Sequence, residues 1–225
     1  MIGIETFQSR EALADAATDA LSGKLRTGGL VVVAGGSTPA PVYDRLSRRD
    51  LDWPAVTVTL TDERFVDPAS DDSNEKMVRA QLLKDRAAAA AFLPLRQGGD
   101  WPDDDARSAE AELAPHLPAA AVLLGMGADG HVASLFPGAP ALAAGLDLDG
   151  AQLCLGVAHA GLEPFVPRVT LTASALTRTR LLILLISGAD KRGLIERILA
   201  DEAFAPPAAT FLRQDRCPVR VLWAA

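Results

Sequence analysis

The chain has 225 residues, with 22 Lys and Arg against 29 Asp and Glu, a formal net charge of -7. That length is enough to bury a full core in one α/β domain, and no Ser/Gly/Pro-rich linker divides it, so a single domain over 1–225 is expected. The acidic balance argues against a nucleic-acid or anionic-membrane surface, and an anionic ligand must then be met by a few local cations.

The start at Met1 lacks the cationic and apolar runs of a secretory signal, and the apolar run 181–186 is too short to span a bilayer, which predicts a soluble cytoplasmic protein. Helical spacing of Leu13, Ala16, Ala17, Ala20 and Leu21, opened by Ser9 as a cap and closed by Gly28 and Gly29, predicts a helix over 9–26. A strand apolar on both faces follows over 30–34. The segment Ala34, Gly35, Gly36, Ser37, Thr38, Pro39 joins it to a helix over 39–46, with Thr38 placed to cap and Pro39 suited to the first helical position. Free backbone N–H groups, two hydroxyls and the positive end of a helix dipole make this turn a seat for phosphate, against the plainer reading of a ligand-free turn. No lysine follows the glycines, so it is not a Walker loop.

The run 56–60 predicts the second strand of the sheet, ended by Thr61, Asp62, Glu63 and Arg64. Two acids and an arginine at a strand's C-terminal end can position a proton carrier and a ligand oxygen, with a surface ion-pair cluster as the alternative. A polar loop over 65–73, a helix over 74–83, a helix over 106–113 and a strand over 120–124 come next.

Asp129, Gly130 and His131 lie on a glycine-rich turn directly after that strand. Residues 125–130 formally match the dinucleotide fingerprint Gly-x-Gly-x-x-Gly. That motif must open a helix long enough to pack on the sheet, and Pro137 with Gly138 breaks the chain within about two turns. The glycines instead free the backbone so that Asp129 and His131 can face a cavity. An imidazole, with an ordinary pKa near ~6.5, suits proton transfer at neutrality, and a carboxylate two residues away can orient it. His116 and His159 have no such company and are expected to be structural.

Strands are predicted over 153–157, 181–186 and 219–222, and a helix over 191–199. Arg168 can supply a bidentate fork. Lys191 falls in the first turn of its helix, where the dipole disfavours a cation unless an anion binds nearby; adjacent Asp190 offers a local ion pair as the alternative. Cys154 and Cys217, without Cys-x-x-Cys spacing, read as buried free thiols, and the histidines lack metal-ligand spacing, so neither metal nor cofactor is expected. Continuously apolar strands alternating with helices predict a three-layer αβα sandwich around a mainly parallel sheet.

Taken together, Gly35 through Pro39, Asp62-Glu63-Arg64, Ser73-Asn74, the stretch from Gly125 to Gly138, Pro167-Arg168 and Gly188-x-x-Lys191 resemble the 6-phosphogluconolactonase family, in matching order over most of the chain. The resemblance implies the Rossmann-like fold shared with glucosamine-6-phosphate deaminases. It also implies metal-free hydrolysis of 6-phosphoglucono-δ-lactone in the oxidative pentose phosphate pathway. On that model His131, Asp129, Asp62 and Arg64 serve catalysis, while Gly35, Gly36, Ser37, Thr38, Arg168 and Lys191 hold the phosphorylated substrate. The expected partner is this small molecule, with no nucleic acid or membrane, in a monomer or homodimer. Two positions depart from the family pattern: Ala34 stands for its usual serine and Val132 for its usual threonine. The deaminases differ more, with a tyrosine in place of Arg64 and an Asn-Glu pair where this chain has Leu135-Phe136. Three rivals are weighed: a deaminase-like amino-sugar enzyme, a serine esterase built on Ser37 with His131 and Asp62 or Asp129, and a non-catalytic sugar-phosphate sensor. The esterase is weakened by Pro39, which stands where a nucleophile elbow has its closing glycine.

Overall fold

The structure, a computed structural model, describes residues 2–158 and 165–225. In chain order the elements are β1 (Ile4–Phe7), α1 (Arg10–Leu25), β2 (Gly29–Val33), α2 (Ala40–Leu46), β3 (Val56–Leu60) and β4 (Asp62–Arg64). There follow α3 (Asn74–Gln81), β5 (Ala91–Leu93), α4 (Pro102–Leu113), β6 (Ala121–Leu124), α5 (Leu142–Leu146) and β7 (Cys154–Val157). The last are β8 (Arg168–Leu171), α6 (Ala173–Thr177), β9 (Leu182–Ser187), α7 (Ala189–Ala200), α8 (Pro207–Arg213) and β10 (Val219–Ala224). Short 3-10 turns connect several of them.

Seven strands form the main sheet in the order β1-β10-β9-β6-β2-β3-β5, each neighbouring pair parallel. Val31, Val32 and Val33 are buried on both faces of the central β2, as a parallel sheet covered by helices requires. α1 begins at the Ser9 cap, whose side chain accepts from the Ala12 N–H, and buries Leu13, Ala17, Leu21 and Leu25. From β2 the chain runs outward through β3 and β5, then returns to place β6 on the other side of β2. This reversal opens a crevice beyond the carboxyl ends of β2 and β6, where open α/β sheets bind their ligands.

A second sheet departs from expectation. The run 153–157 forms a strand, β7, but it joins the three-stranded antiparallel sheet β4-β8-β7 instead of the parallel one. An apolar run reports burial and not the identity of its partner: β7 lies against α4, and a Cβ on Gly156 would come within 2.6 Å of the Asp103 backbone nitrogen. Thr38 does not cap α2, because the cap position falls one residue later on Pro39, which has no side-chain cap hydrogen bond. His159 lies outside the described residues. Cys154 and Cys217 are buried free thiols, and burial pushes the Cys217 thiol up to about 11. No helix among the described residues is long and apolar enough to cross a membrane.

Candidate active site

At the crevice lies a pocket of about 290 Å³. The turn after β2 supplies one wall with Gly35, Gly36, Ser37 and Thr38; the loop after β6 supplies Gly125, Met126, Gly127 and His131. Asp62 and Arg64 enter from β4, Arg168 from β8 and Lys191 from α7. The small antiparallel sheet thus brings two of the three cations to the carboxyl ends of the parallel strands. Of the ten residues given catalytic or substrate-holding roles from sequence, all but Asp129 line the pocket, and Asp129 contacts His131.

The His131 loop is closed on itself. The Gly127 N–H donates to the His131 carbonyl at 2.9 Å, and the Gly130 N–H to the Gly127 carbonyl at 3.1 Å. His131 Nδ1 lies 2.6 Å from Asp129 Oδ1, which also accepts from the His131 backbone N–H at 3.1 Å. An ionised carboxylate only accepts, so this contact selects the tautomer protonated at Nδ1 and leaves Nε2 with a free lone pair. Phe136 packs on the imidazole, ring centroids 4.3 Å apart. Gly130, at φ 81, passes so close to Pro206 that a Cβ there would come within 2.7 Å of it, and the Gly130 carbonyl accepts from the Ala208 N–H at 3.0 Å. The N-terminus of α8 therefore clamps the loop from below.

Side chains alternate along β4, so the two acids of the Asp62-Glu63 pair part company. Glu63 points away from the pocket and caps α3: its carboxylate accepts from the backbone N–H groups of Arg64, Asn74 and Glu75, each at 2.7 Å, and from Ser73 Oγ at 2.9 Å. Burial pushes its pKa up, and these donors pull against that. Four donors leave Glu63 no part in proton traffic at the pocket. Asp62 stays on the pocket side, accepting from Thr61 Oγ1 at 2.9 Å and from Ser134 Oγ at 2.6 Å.

Arg64 Nη1 bonds the side chain of Asn74, whose Nδ2 donates to the Asp62 carbonyl at 2.8 Å. Gly35 is needed for this arrangement, because a Cβ there would overlap the Asn74 amide. Arg168 faces Arg64 directly across the antiparallel pair. Burial lowers the Arg168 pKa, while Asp62, 3.9 Å away, pulls it back. Lys191 is the third residue of α7 and, among the described residues, forms no hydrogen bond or ion pair; the local pair with Asp190 is not made. Ser37 is exposed and, among the described residues, makes no hydrogen bond to His131, whose Nδ1 is committed to Asp129. His116 is exposed in a turn after α4, away from the pocket. Among the described residues no group of three His, Cys, Asp or Glu side chains is placed to hold a metal ion.

Sequence reasoning gave no role to Ser134 or to the Asn74 side chain. Both are small polar residues that are buried, 1% and 3% exposed, and burial of a polar group is the signal that a periodicity reading does not carry.

Arranged this way, the pocket pairs a carboxylate-held imidazole with three cations, a combination suited to hydrolysing an uncharged acyl group on a molecule anchored by its negative end. The family model described as glucosamine-6-phosphate isomerases/6-phosphogluconolactonase matches residues 8–223. The 6-phosphogluconolactonase of Caulobacter vibrioides is 49% identical over 229 residues, covering 99% of this chain and 97% of that protein. That of Rhizobium meliloti is 40% identical over 227 residues, 97% of each chain. The crystal structure of a 6-phosphogluconolactonase from Shewanella baltica superposes with a TM-score of 0.93 at 32% identity, covering 100% of this chain and 98% of that one.

Proposed function

The chain belongs to the glucosamine-6-phosphate isomerase/6-phosphogluconolactonase family, and from that premise we propose that it hydrolyses 6-phospho-D-glucono-1,5-lactone to 6-phospho-D-gluconate. It does so as a single cytoplasmic domain in the oxidative pentose phosphate pathway, without metal or organic cofactor. The observation that carries this reading is the Asp129–His131 contact of 2.6 Å at a pocket lined by Arg64, Arg168 and Lys191.

In the proposed reaction the 6-phosphate sits against the turn of Gly36, Ser37 and Thr38, gripped by Arg168 and Lys191. His131 Nε2 takes a proton from water as the water oxygen attacks C1. Asp129 holds the ring and stabilises the imidazolium that forms. Arg64 or loop N–H groups meet the oxyanion, whose collapse breaks the bond from C1 to the ring oxygen. The imidazolium returns its proton to that departing oxygen, so the balance is one water consumed and one ring opened. Asp62 organises the cationic side of the pocket. Phe136 against His131 offers no carboxylate of the kind the deaminase pattern places there, which favours a lactone over an amino sugar.

The test is to generate the lactone in situ by oxidising glucose 6-phosphate and to follow its loss against the spontaneous background. Acceleration dependent on His131, with glucono-1,5-lactone a poor substrate, is expected. A folded protein that binds 6-phosphogluconate yet leaves the background rate unchanged would support the sensor reading and overturn this one.

A further inference from the structure

Ser134 sits three residues beyond His131, is 1% exposed and does not line the pocket. Its backbone N–H donates to Thr170 Oγ1 on β8 at 3.1 Å, and its hydroxyl donates to Asp62 Oδ2 on β4 at 2.6 Å. One residue of the histidine loop is thus bonded to two strands of the small sheet that carries Arg64 and Arg168.

The consequence lies at Asp62. Its Oδ1 is engaged by Thr61 Oγ1 at 2.9 Å and its Oδ2 by Ser134, and Arg168 Nη1 stands 3.9 Å from that same Oδ2. At 3.9 Å the charges attract, but no hydrogen bond forms. Among the described residues, the one hydrogen bond from the Arg168 guanidinium is Nε to the Val166 carbonyl at 3.2 Å, so its Nη groups remain available to the pocket. Removing the Ser134 hydroxyl would leave Oδ2 of a nearly buried carboxylate without its donor. Arg168 is the adjacent cation, and a buried carboxylate missing a partner is costly enough to draw it in.

We propose that Ser134 is a positioning residue for substrate selection: by occupying Asp62 Oδ2 it keeps Arg168 from closing onto Asp62 and holds its fork open for the anionic end of the substrate. The proposal rests on the reading above that Arg168 grips the phosphate. It assigns to Ser134 an effect on recognition of the phosphorylated lactone and none on proton transfer.

The experiment compares wild type, Ser134→Ala, Ser134→Thr and Ser134→Ala in an Asp62→Asn background, each with the phosphorylated lactone and with glucono-1,5-lactone. Ser134→Ala should raise KM for the phosphorylated lactone about 3–10-fold, keep kcat within about 2-fold and leave the shape of the pH–rate profile unchanged. Its kcat/KM for glucono-1,5-lactone should not move, because that substrate offers Arg168 no phosphate. Ser134→Thr, which keeps the hydroxyl, should restore KM, and in the Asp62→Asn background the alanine change should add no further KM effect. Should the alanine variant not fold, Ser134→Cys, a weaker donor of similar size, carries the same prediction. A kcat loss at constant KM, an equal loss with both lactones, or no change at all would overturn the role of Ser134. A wild type that does not prefer the phosphorylated lactone would instead defeat the phosphate assignment itself, so the two failures are told apart.

Discussion

Gly127 and His131 are too close for any side chain to stand between them: a Cβ built on Gly127 overlaps Cε1 and Nδ1 of the imidazole and comes within 2.7 Å of Asp129 Oδ1. The missing methyl group is what lets the carboxylate and the ring meet at 2.6 Å. Gly127 does not have the left-handed φ that Gly130 has, so an alanine there acts by steric displacement of the ring and not by backbone strain. Gly127→Ala should lower kcat by about 10²-fold, the scale of an ångström-sized misplacement, with little change in the thermal midpoint. Steady-state kinetics beside a melting curve checks both halves, and an alanine variant with full kcat would show the ring is not held in this way.

Loss of the base itself should cost more in turnover than in binding. His131→Asn is expected to lower kcat by about 10²–10⁴ and to change KM much less, since the lost contact belongs to proton transfer. Initial rates on freshly generated lactone, corrected for spontaneous opening, measure it, and wild-type turnover in this variant rules the proposed mechanism out.

Lys191 presents a charge to the pocket without a protein partner among the described residues. Lys191→Ala should act mainly through KM, by roughly 1.5–3 kcal/mol for one charge-assisted contact, or about 10–150-fold. Product inhibition by 6-phosphogluconate should weaken in step. A variant that loses kcat at constant KM would place the lysine at the reacting end of the molecule instead.

Glu63 is expected to report on stability and not directly on chemistry. Its two oxygens receive four donors, and an amide at this position turns an NH2 group toward N–H groups that need an acceptor. Glu63→Gln should destabilise the fold by roughly 1–3 kcal/mol, seen as a lower urea midpoint. An unchanged midpoint would mean that the cap is not holding α3.

The Glu5–Arg220 pair, with contacts of 2.7 and 2.6 Å, joins edge strand β1 to β10 and is partly exposed. Its hydrogen bond from Arg220 lowers the Glu5 pKa below 4.5. A depressed folded-state value contributes stability above the unfolded pKa and loses it as pH falls through the folded one. Glu5→Gln should therefore cost at most about 1 kcal/mol at pH 7, discounted for solvent screening, and the gap to wild type should narrow as pH falls below the ordinary carboxylate range. Chemical denaturation at several pH values measures this gap, and a difference that grew as pH fell would contradict the assignment.

The sequence carried the parallel sheet well, because runs such as 181–186 are apolar on both faces and followed by helical spacing. The short strands β1, β4, β5 and β8 escaped a periodicity reading, being four residues or fewer and bearing charges such as Glu5, Glu63 and Arg168. Whether a run joins one sheet or another is decided by contacts far along the chain, which is why the run 153–157 was legible as a strand but its place in the antiparallel sheet was not. At the site, Asp129 and His131 were legible from a titratable pair on a glycine turn. The division of labour within Asp62-Glu63 was not, since it depends on which side of a three-residue strand faces α3.

Strand register sets Arg64 and Arg168 shoulder to shoulder, and like charges held directly opposite one another work against the pairing that holds them. The protein therefore carries a local conflict that its own backbone imposes, only partly soothed by Asp62. On the proposed reading, negative charge brought to either guanidinium relieves this conflict, so 6-phosphogluconate should make the protein harder to melt. Readiness for a negatively charged guest is here a small, permanent discomfort of the host.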